Sequence, residues 1–323
     1  MSVSLGTIIR DLRMKKGFSQ KELAEGICSL KQLSRIENNT SEASTYLIYE
    51  LSFRLGENLL DYFPYVELEN PFFWKKRVDE LEQYYSEERY QEMYRQSKIL
   101  KEDELVRSFV FLRQRINWYF GISACHCQMV EAFSAEDFLN LIALTHPFTQ
   151  ISDIWQNNLK PFELRILNAA IFVHLRAERY DIAEEWLLKA IGIFDRCYFE
   201  VKDNANLNFF YNLSRLYFYR QEYKKALQVA DQGLRLCQEN NILYQVAGLS
   251  NIKGRSLYCL GRKEEALLYM NLFLQLNDFL GENSHFKDRN VNQNLRNTYQ
   301  LAPLGYITPP AAELQKPCRF RHG

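Results

Sequence analysis

Residues 19–39 have the sequence SQKELAEGICSLKQLSRIENN, and this stretch decides the fold of the amino-terminal part of the chain. Ser19 and Ser29 each begin a Ser-x-x-Glu or Ser-x-x-Gln signal, which satisfies free backbone N–H groups at the start of a helix. Apolar residues follow each signal at helical spacing, and Gly26 separates the two segments. The stretch therefore predicts two short helices joined by a tight turn, which is a helix-turn-helix.

The flanking sequence predicts three more helices and completes a five-helix head domain over residues 1–63. Leu5, Ile9 and Leu12 recur at the spacing of an amphipathic helix, and Ser44 is a helix cap followed by a second apolar series. The residues expected to close the bundle are Leu59, Leu60 and Phe63.

Charge in the head domain is polarised, although the 40 basic and 40 acidic residues of the whole chain cancel. Residues 10–35 contain seven basic and three acidic side chains, whereas residues 37–61 contain one basic and five acidic. The basic half holds the two helices of the motif, as expected if they face DNA phosphates.

The start of the second helix of such a motif enters the major groove, so its polar residues are the candidates for base contacts. Contacts to phosphate fix the position of the domain on the duplex. We expect base contacts from Ser29, Lys31 and Gln32, a base or phosphate contact from Arg35, and phosphate contacts from Gln20 and Arg13. Two structural alternatives are that Ser29 and Gln32 only cap each other, and that Arg35 pairs with Glu37 on a solvated face.

Beyond a predicted linker at residues 64–71, an internal repeat extends over residues 72–302. Residues 178–194, 221–237 and 261–276 are similar, and their aligned alanines are Ala183, Ala226 and Ala266. Each follows a helical segment with a small residue near its middle, namely Ala170, Ser214 and Gly254. This pattern predicts a right-handed α-solenoid of about five helical hairpins, with a further copy starting at Glu88, so the chain is all-α. Residues 303–323 lack periodicity and are expected to be a disordered tail.

Asparagines and arginines recur on the first helices of these hairpins, which line the concave face of such an array. An amide offers a donor and an acceptor to the backbone of an extended peptide, and an arginine holds a carboxylate. The candidate peptide-binding residues are Asn168, Asn208, Asn212, Arg215, Asn251 and Arg255, with Phe210, Tyr211 and Tyr217 as an apolar wall. The alternative is that these amides satisfy polar contacts between repeats.

Two resemblances connect these patterns to known families. The SQ-x-x-LA and SRIE-N runs within residues 19–39 resemble the Xre/Cro-type DNA-binding domain, and the repeats resemble degenerate tetratricopeptide repeats. Together they resemble the RRNPP family of peptide-responsive quorum-sensing regulators of Gram-positive bacteria. That resemblance implies a cytoplasmic homodimer on a near-palindromic operator, with Asn168 and Asn212 contacting the backbone of a short signal peptide.

Other function classes lack their sequence signals. The chain has no phosphate-binding glycine loop, no HExxH and no GxSxG, so we expect no enzyme, no catalytic residue and no cofactor. Cys125-His126-Cys127 lacks a second ligand cluster, so no metal site is expected, and the seven cysteines without CxxC spacing favour a reduced, cytoplasmic protein. No apolar run is long enough to span a membrane. The alternative function is a protein-binding adaptor with little role for DNA.

Overall fold

The computed structural model describes residues 3–148, 150–156, 158–194, 205–243 and 245–280. The chain divides into two compact units, Met1–Ser123 and Ala124–Gly323. These described residues form helices and turns without a strand, which confirms the predicted all-α class. None of the helices in the described ranges is long and apolar enough to cross a membrane. The predicted tail and the last predicted part of the repeat region, 281–302, lie outside the described residues.

Four α-helices and one 3-10 helix form the head domain, as the sequence predicts. They are α1 (Leu5–Lys15), α2 (Gln20–Ala24), α3 (Leu30–Glu37), α4 (Thr45–Leu55) and the 3-10 helix Leu59–Tyr65. Ser4, Ser19, Ser29 and Ser44 each accept a hydrogen bond from a backbone N–H in the first turn of the following α-helix. A side-chain oxygen at this position replaces a partner that the first turn of a helix lacks.

The core of the head corrects the predicted closing segment. Leu59 and Tyr62 are buried with the apolar residues of α1 to α4, whereas Leu60 and Phe63 are exposed. The reason is that this segment is a 3-10 helix, in which residues three apart lie on one face. Leu59, Tyr62 and Tyr65 therefore share the inner face.

The two capping signals form to different extents. At Ser19 the box is complete, because Glu22 Oε2 also accepts from the Ser19 backbone N–H at 2.7 Å. At Ser29 the hydroxyl caps the Gln32 N–H at 3.1 Å, while the Gln32 side chain is exposed. Ser29 is thus a cap, but the described contacts do not include the reciprocal bond predicted from Gln32.

Close approach of α1 to α3 depends on Gly6. A Cβ atom added at Gly6 would lie 1.9 Å from the carbonyl oxygen of Ile36, far inside van der Waals contact. The absence of a side chain at Gly6 is therefore what allows the two helices to pack at this distance.

Four further helices complete the first unit and enter the second. They are α5 (Pro71–Ser86), α6 (Tyr90–Leu100), α7 (Glu104–Ser108) and α8 (Val110–His126). Between Tyr65 and Pro71 the chain forms turns, and the Asn70 side chain caps α5 by accepting from the Phe73 N–H at 3.1 Å. The assignment of residues 64–71 as a linker between two domains stays a prediction.

The second unit is a stack of helical hairpins. Its helices are α9 (Ala135–Ala143), α10 (Ile151–Ile154), α11 (Pro161–Arg176), α12 (Tyr180–Phe194), α13 (Ala205–Tyr219), α14 (Tyr223–Glu239), α15 (Val246–Cys259) and α16 (Lys263–Leu280). Helix α11 pairs with α12, α13 with α14 and α15 with α16. Each hairpin also contacts the next through its first helix, α11 with α13 and α13 with α15. This arrangement is a helical solenoid, as predicted.

The turn within each hairpin repeats a left-handed residue. The residues with positive φ are Glu88 (56°), Gln128 (55°), Glu178 (56°), Gln221 (61°) and Gly261 (81°). A left-handed residue after the last helical turn reverses the chain and satisfies terminal carbonyl groups. These turns follow α5, α8, α11, α13 and α15. Helix α5 pairs with α6, α11 with α12, α13 with α14 and α15 with α16, and the turn at Glu88 lies where the sequence predicts a further copy.

Small residues lie at the helix crossings of these hairpins. Ala183, Ala226 and Ala266 are fully buried, and so are Ala170 and Ser214. A Cβ atom added at Gly254 would lie 3.1 Å from the Ala266 carbonyl oxygen and 2.9 Å from Met270 Cγ. The small side chains predicted at the crossings therefore set the distance between paired helices.

Candidate nucleic-acid interface and candidate peptide site

Helix α3 has a buried face and an exposed face. Leu33, Ile36 and Glu37 are buried against the rest of the head. With about 100° between successive residues, Lys31 and Arg35 lie on the opposite side, and both are exposed. Ser29 and Gln32 are exposed at the beginning of the same helix. The three residues predicted to contact bases therefore lie, together with Arg35, on one solvent-facing end and side of α3.

Arg13 and Gln20 are not placed as predicted, because both side chains bind Glu37. Arg13 Nε donates to Glu37 Oε1 at 2.7 Å and Arg13 Nη2 donates to Oε2 at 3.0 Å. Gln20 Nε2 donates to the same Oε2 at 2.7 Å, and Arg13 Nη1 donates to the Phe18 carbonyl at 2.8 Å. These bonds engage the groups that were expected to contact phosphate, so we assign Arg13 and Gln20 to the positioning of α3.

The alternative pairing of Arg35 with Glu37 is also wrong. Two residues along an α-helix are about 200° apart, so the two side chains point in nearly opposite directions. Glu37 is buried and Arg35 is exposed. The sequence pattern assigned no role to Glu37, whose carboxylate is buried in the structure. The position of Glu37 in the SRIE run was the only sequence signal that could have indicated its importance.

The candidate peptide site begins with an amide pair between two neighbouring hairpins. Asn212 Nδ2 on α13 donates to Asn168 Oδ1 on α11 at 3.3 Å, and both residues are half-buried. The structure thus brings these two predicted residues together. This bond is the inter-repeat contact that we considered as the alternative, but it uses only one polar atom of each amide. Asn168 Nδ2 and Asn212 Oδ1 form a neighbouring donor and acceptor.

Asn208 and Arg215 lie on α13 with other partners. Asn208 Oδ1 accepts from Gln245 Nε2 at 2.6 Å. The guanidinium of Arg215 lies over the rings of Tyr211 and Tyr219, 5.8 and 6.0 Å from their centroids. Contact with aromatic rings holds a guanidinium in place.

Asn251 and Arg255 extend the polar series onto α15. The carbon of the Arg255 guanidinium lies 4.4 Å from the ring centroid of Phe218 on α13. Asn251 Oδ1 is buried without a hydrogen-bond partner among the described residues. A buried acceptor without a partner destabilises the fold, so a donor at this position is favourable.

Two of the three aromatic residues predicted to form an apolar wall lie elsewhere. Phe210 and Tyr217 are buried in the core, and the Tyr217 hydroxyl donates to Glu184 Oε1 at 2.9 Å. Burial and the nearby Glu184 carboxylate raise the pKa of Tyr217 to about 12. Only Tyr211 is half-buried and adjacent to Arg215. The first helix of each hairpin packs against other helices on more than one side. Most apolar residues of α13 therefore face the helices that surround it.

The comparisons with known proteins agree with both parts of this description. Residues 9–60 match the family described as Helix-turn-helix. The head is a helix-turn-helix domain. The chain is similar to the crystal structure of Bacillus thuringiensis PlcR in complex with the peptide PapR7 and DNA, at 18% identity and a TM-score of 0.62, over 85% of this chain and 95% of that one.

Two more solved structures share this fold. PlcR of Bacillus thuringiensis in its apo form aligns at 17% identity and a TM-score of 0.56, over 91% of this chain and 98% of that one. ComR from S. thermophilus, in complex with DNA and its signalling peptide, aligns at 14% identity and a TM-score of 0.52, over 91% and 98%. Both are of the RRNPP type that the sequence resembles, and the likeness concerns the fold. A comparison with curated protein sequences gave no significant match.

Proposed function

We propose that this chain is a sequence-specific DNA-binding transcriptional regulator, controlled by a short intracellular signal peptide in the manner of quorum sensing. The observation that carries the proposal is the exposed polar surface of α3, held in a fixed orientation by the buried Glu37. The similar PlcR and ComR structures, which were solved with DNA and a peptide bound, support it. The proposal includes a cytoplasmic homodimer and no enzymatic activity.

In this function α3 enters the major groove of the operator. Lys31 and Arg35 have long cationic side chains that match guanine acceptors or phosphates, and Gln32 matches the donor and acceptor of adenine. Ser29 caps α3 and presents its hydroxyl at the same end. Each good base contact favours the correct base by about 1–3 kcal/mol, so a few such residues on two heads give a specific operator.

The peptide would lie along α11, α13 and α15. Asn168 Nδ2 would donate to a peptide carbonyl and Asn212 Oδ1 would accept from a peptide N–H, which clamps one backbone unit. Asn208, Asn251, Arg215 and Arg255 would continue the contacts, with the arginines binding carboxylates. A peptide that binds one arrangement of the solenoid more tightly shifts the population toward the head spacing that fits, or does not fit, the operator.

The test of DNA binding uses the full-length chain and duplexes with a random central segment. The selection is run with and without a pool of synthetic peptides of roughly five to ten residues, including those encoded beside the gene. We expect one sequence to be enriched. The double variant Lys31→Ala, Gln32→Ala should bind that sequence about 100-fold more weakly, since two base contacts are lost.

The control is Lys76→Ala, which removes an exposed lysine from α5 in the same unit and should leave affinity unchanged. Equal binding by the double variant and the unchanged chain would contradict the role of α3. Peptide binding by titration calorimetry without enrichment of any duplex would favour the adaptor function.

A further inference from the structure

Leu30 is an exposed apolar residue at the beginning of the helix assigned to DNA contact. It is the first residue of α3, directly after the cap Ser29, and its side chain is 51% exposed. Neighbouring residues face the interior of the head domain: Ile27 and Cys28 pack against the head core, and Leu33 is fully buried. Within the described part of the chain, Leu30 is not among the apolar residues that pack against that core.

The geometry of α3 places Leu30 next to the predicted base-contacting residues. Leu30 and Lys31 project from the same amino-terminal turn, and Leu30 is one turn before Ser34 on the helix surface. Residues at this end of a recognition helix meet base edges in the major groove. A half-exposed leucine at that position would contact the groups on the major-groove edges of the bases.

The major-groove edge of a base pair carries one apolar group, the C5-methyl of thymine. Other edge groups are hydrogen-bond donors and acceptors, which lose their hydration against a leucine without gaining a partner. A methyl group loses only unfavourable contact with water when it is buried against an apolar side chain. A leucine packed against this edge would therefore favour a pyrimidine with the methyl group over one without it.

We propose that Leu30 selects a thymine in each operator half-site by contacting its C5-methyl group. The inference rests on the proposed function, because it assumes that α3 contacts DNA. It adds a specificity determinant that is apolar, beside the polar contacts of Lys31, Gln32 and Arg35.

The experiment starts from the duplex selected with the full-length chain in the presence and absence of the peptide pool. Each thymine is replaced singly by deoxyuridine, which removes the methyl group and keeps the base pair. Affinity is measured by fluorescence anisotropy for the unchanged chain and for Leu30→Ala. At one position per half-site, uracil should weaken binding of the unchanged chain by about threefold to fivefold, the effect of one buried methyl-sized group.

The Leu30→Ala variant should lose this discrimination and bind the thymine and uracil duplexes equally, which gives a non-zero coupling in the double-mutant cycle. Replacing the sensitive thymine by 5-methylcytosine and by cytosine, opposite guanine, tests the methyl group in another base. The methylated duplex should bind the unchanged chain more tightly than its partner and bind Leu30→Ala no better.

A matched control is Leu60→Ala, since Leu60 belongs to the same head and is 53% exposed. It should keep the preference for thymine over uracil. Uracil tolerance at every position, or an equal uracil effect in Leu30→Ala, would overturn the role of Leu30 while leaving DNA binding intact. Failure to enrich any duplex would overturn the proposed function and this inference together.

Discussion

Arg13 and Glu37 form a two-pronged ion pair between α1 and α3, with their side chains 12% and 1% exposed. The two N–H···O distances are 2.7 and 3.0 Å, and Gln20 of α2 adds a third bond to the same carboxylate. Three helices thus meet at one buried carboxylate. Because Glu37 is on the inner side of α3, this contact fixes the rotation of the helix and so determines which residues face outward.

Removing one partner of this ion pair should destabilise the head strongly. In Arg13→Ala the Glu37 carboxylate stays buried without its cation, and losses of about 3–5 kcal/mol are typical of such changes. Protection of α1 and α3 amides in native-state hydrogen exchange measures the effect. Replacing both residues with apolar ones, Arg13→Met with Glu37→Leu, should recover much of the loss. A loss below about 1 kcal/mol in the single variant would show that the pair contributes little.

Gly6→Ala should also destabilise the head, through sterics instead of charge. The added Cβ would meet the Ile36 carbonyl oxygen at 1.9 Å, so α1 and α3 would have to separate. Overpacking of this kind costs about 1–3 kcal/mol or more. The effect is measured by the same amide protection.

Gly192→Ala is the matched control for Gly6→Ala. Gly192 is within α12, and a Cβ atom added there would have no described atom from another part of the chain within 4 Å. Alanine is the better helix former by about 1 kcal/mol, so this variant should be neutral or stabilised. If Gly6→Ala and Gly192→Ala change stability by similar amounts, the close approach of α1 and α3 is not the reason that a side chain is unfavourable at Gly6.

Local signals in the sequence predict most of the helices. They do not predict contacts between residues that are far apart in the chain. The complete cap at Ser19 and the small residues at the hairpin crossings depend on neighbours a few residues away or on a repeated pattern. The bond from Arg13 to Glu37 joins residues 24 apart, and a pattern of charges does not say which acid a given arginine will meet. The sequence therefore predicts a phosphate contact for Arg13, whereas in the structure its guanidinium binds the buried Glu37.

In the candidate peptide site, too, the sequence predicts some features and not others. Repetition of asparagines identified Asn168 and Asn212 as equivalent, and the structure brings them within hydrogen-bond distance. The repeat pattern does not show which aromatic residues of α13 face outward, because a helix inside a solenoid has neighbours on several sides. Phe210 and Tyr217 are consequently buried, whereas the apolar residue Leu30 of α3 is exposed.

Asn168 and Asn212 should act as a coupled pair in peptide binding. Each single change to alanine removes one hydrogen bond to the peptide and frees the partner amide, which should weaken affinity by about fivefold to tenfold. Because the residues touch, the double variant should lose less than the product of the two single losses. Titration calorimetry with a peptide from the pool measures this coupling. Asn271→Ala, an exposed asparagine on α16, is the control, and full additivity would contradict a shared site.

His174 should make the stability of the second unit depend on pH. It is buried on α11, its ring centroid is 4.6 Å from that of Trp186, and neither ring nitrogen has a hydrogen-bond partner among the described residues. Burial, with a smaller contribution from the charge of Arg179, lowers the pKa of His174 below its ordinary value of 6.5. The folded state therefore binds this proton less readily than the unfolded state does.

The sign of the effect follows from this difference in proton binding. Well above pH 6.5 the imidazole is neutral in both states, so protonation of His174 does not affect stability. As the pH falls through 6.5 the unfolded state takes up the proton first, so the free energy of unfolding decreases. Thermal melts of the full-length chain at pH 7.5 and pH 5.5 should show a lower melting temperature at the acidic pH (roughly one unit on either side of the ordinary histidine value). The variant His174→Phe keeps an aromatic ring against Trp186 and cannot be protonated, so its melting temperature should fall less. An identical acid-induced decrease in both proteins would assign the pH dependence to groups other than His174.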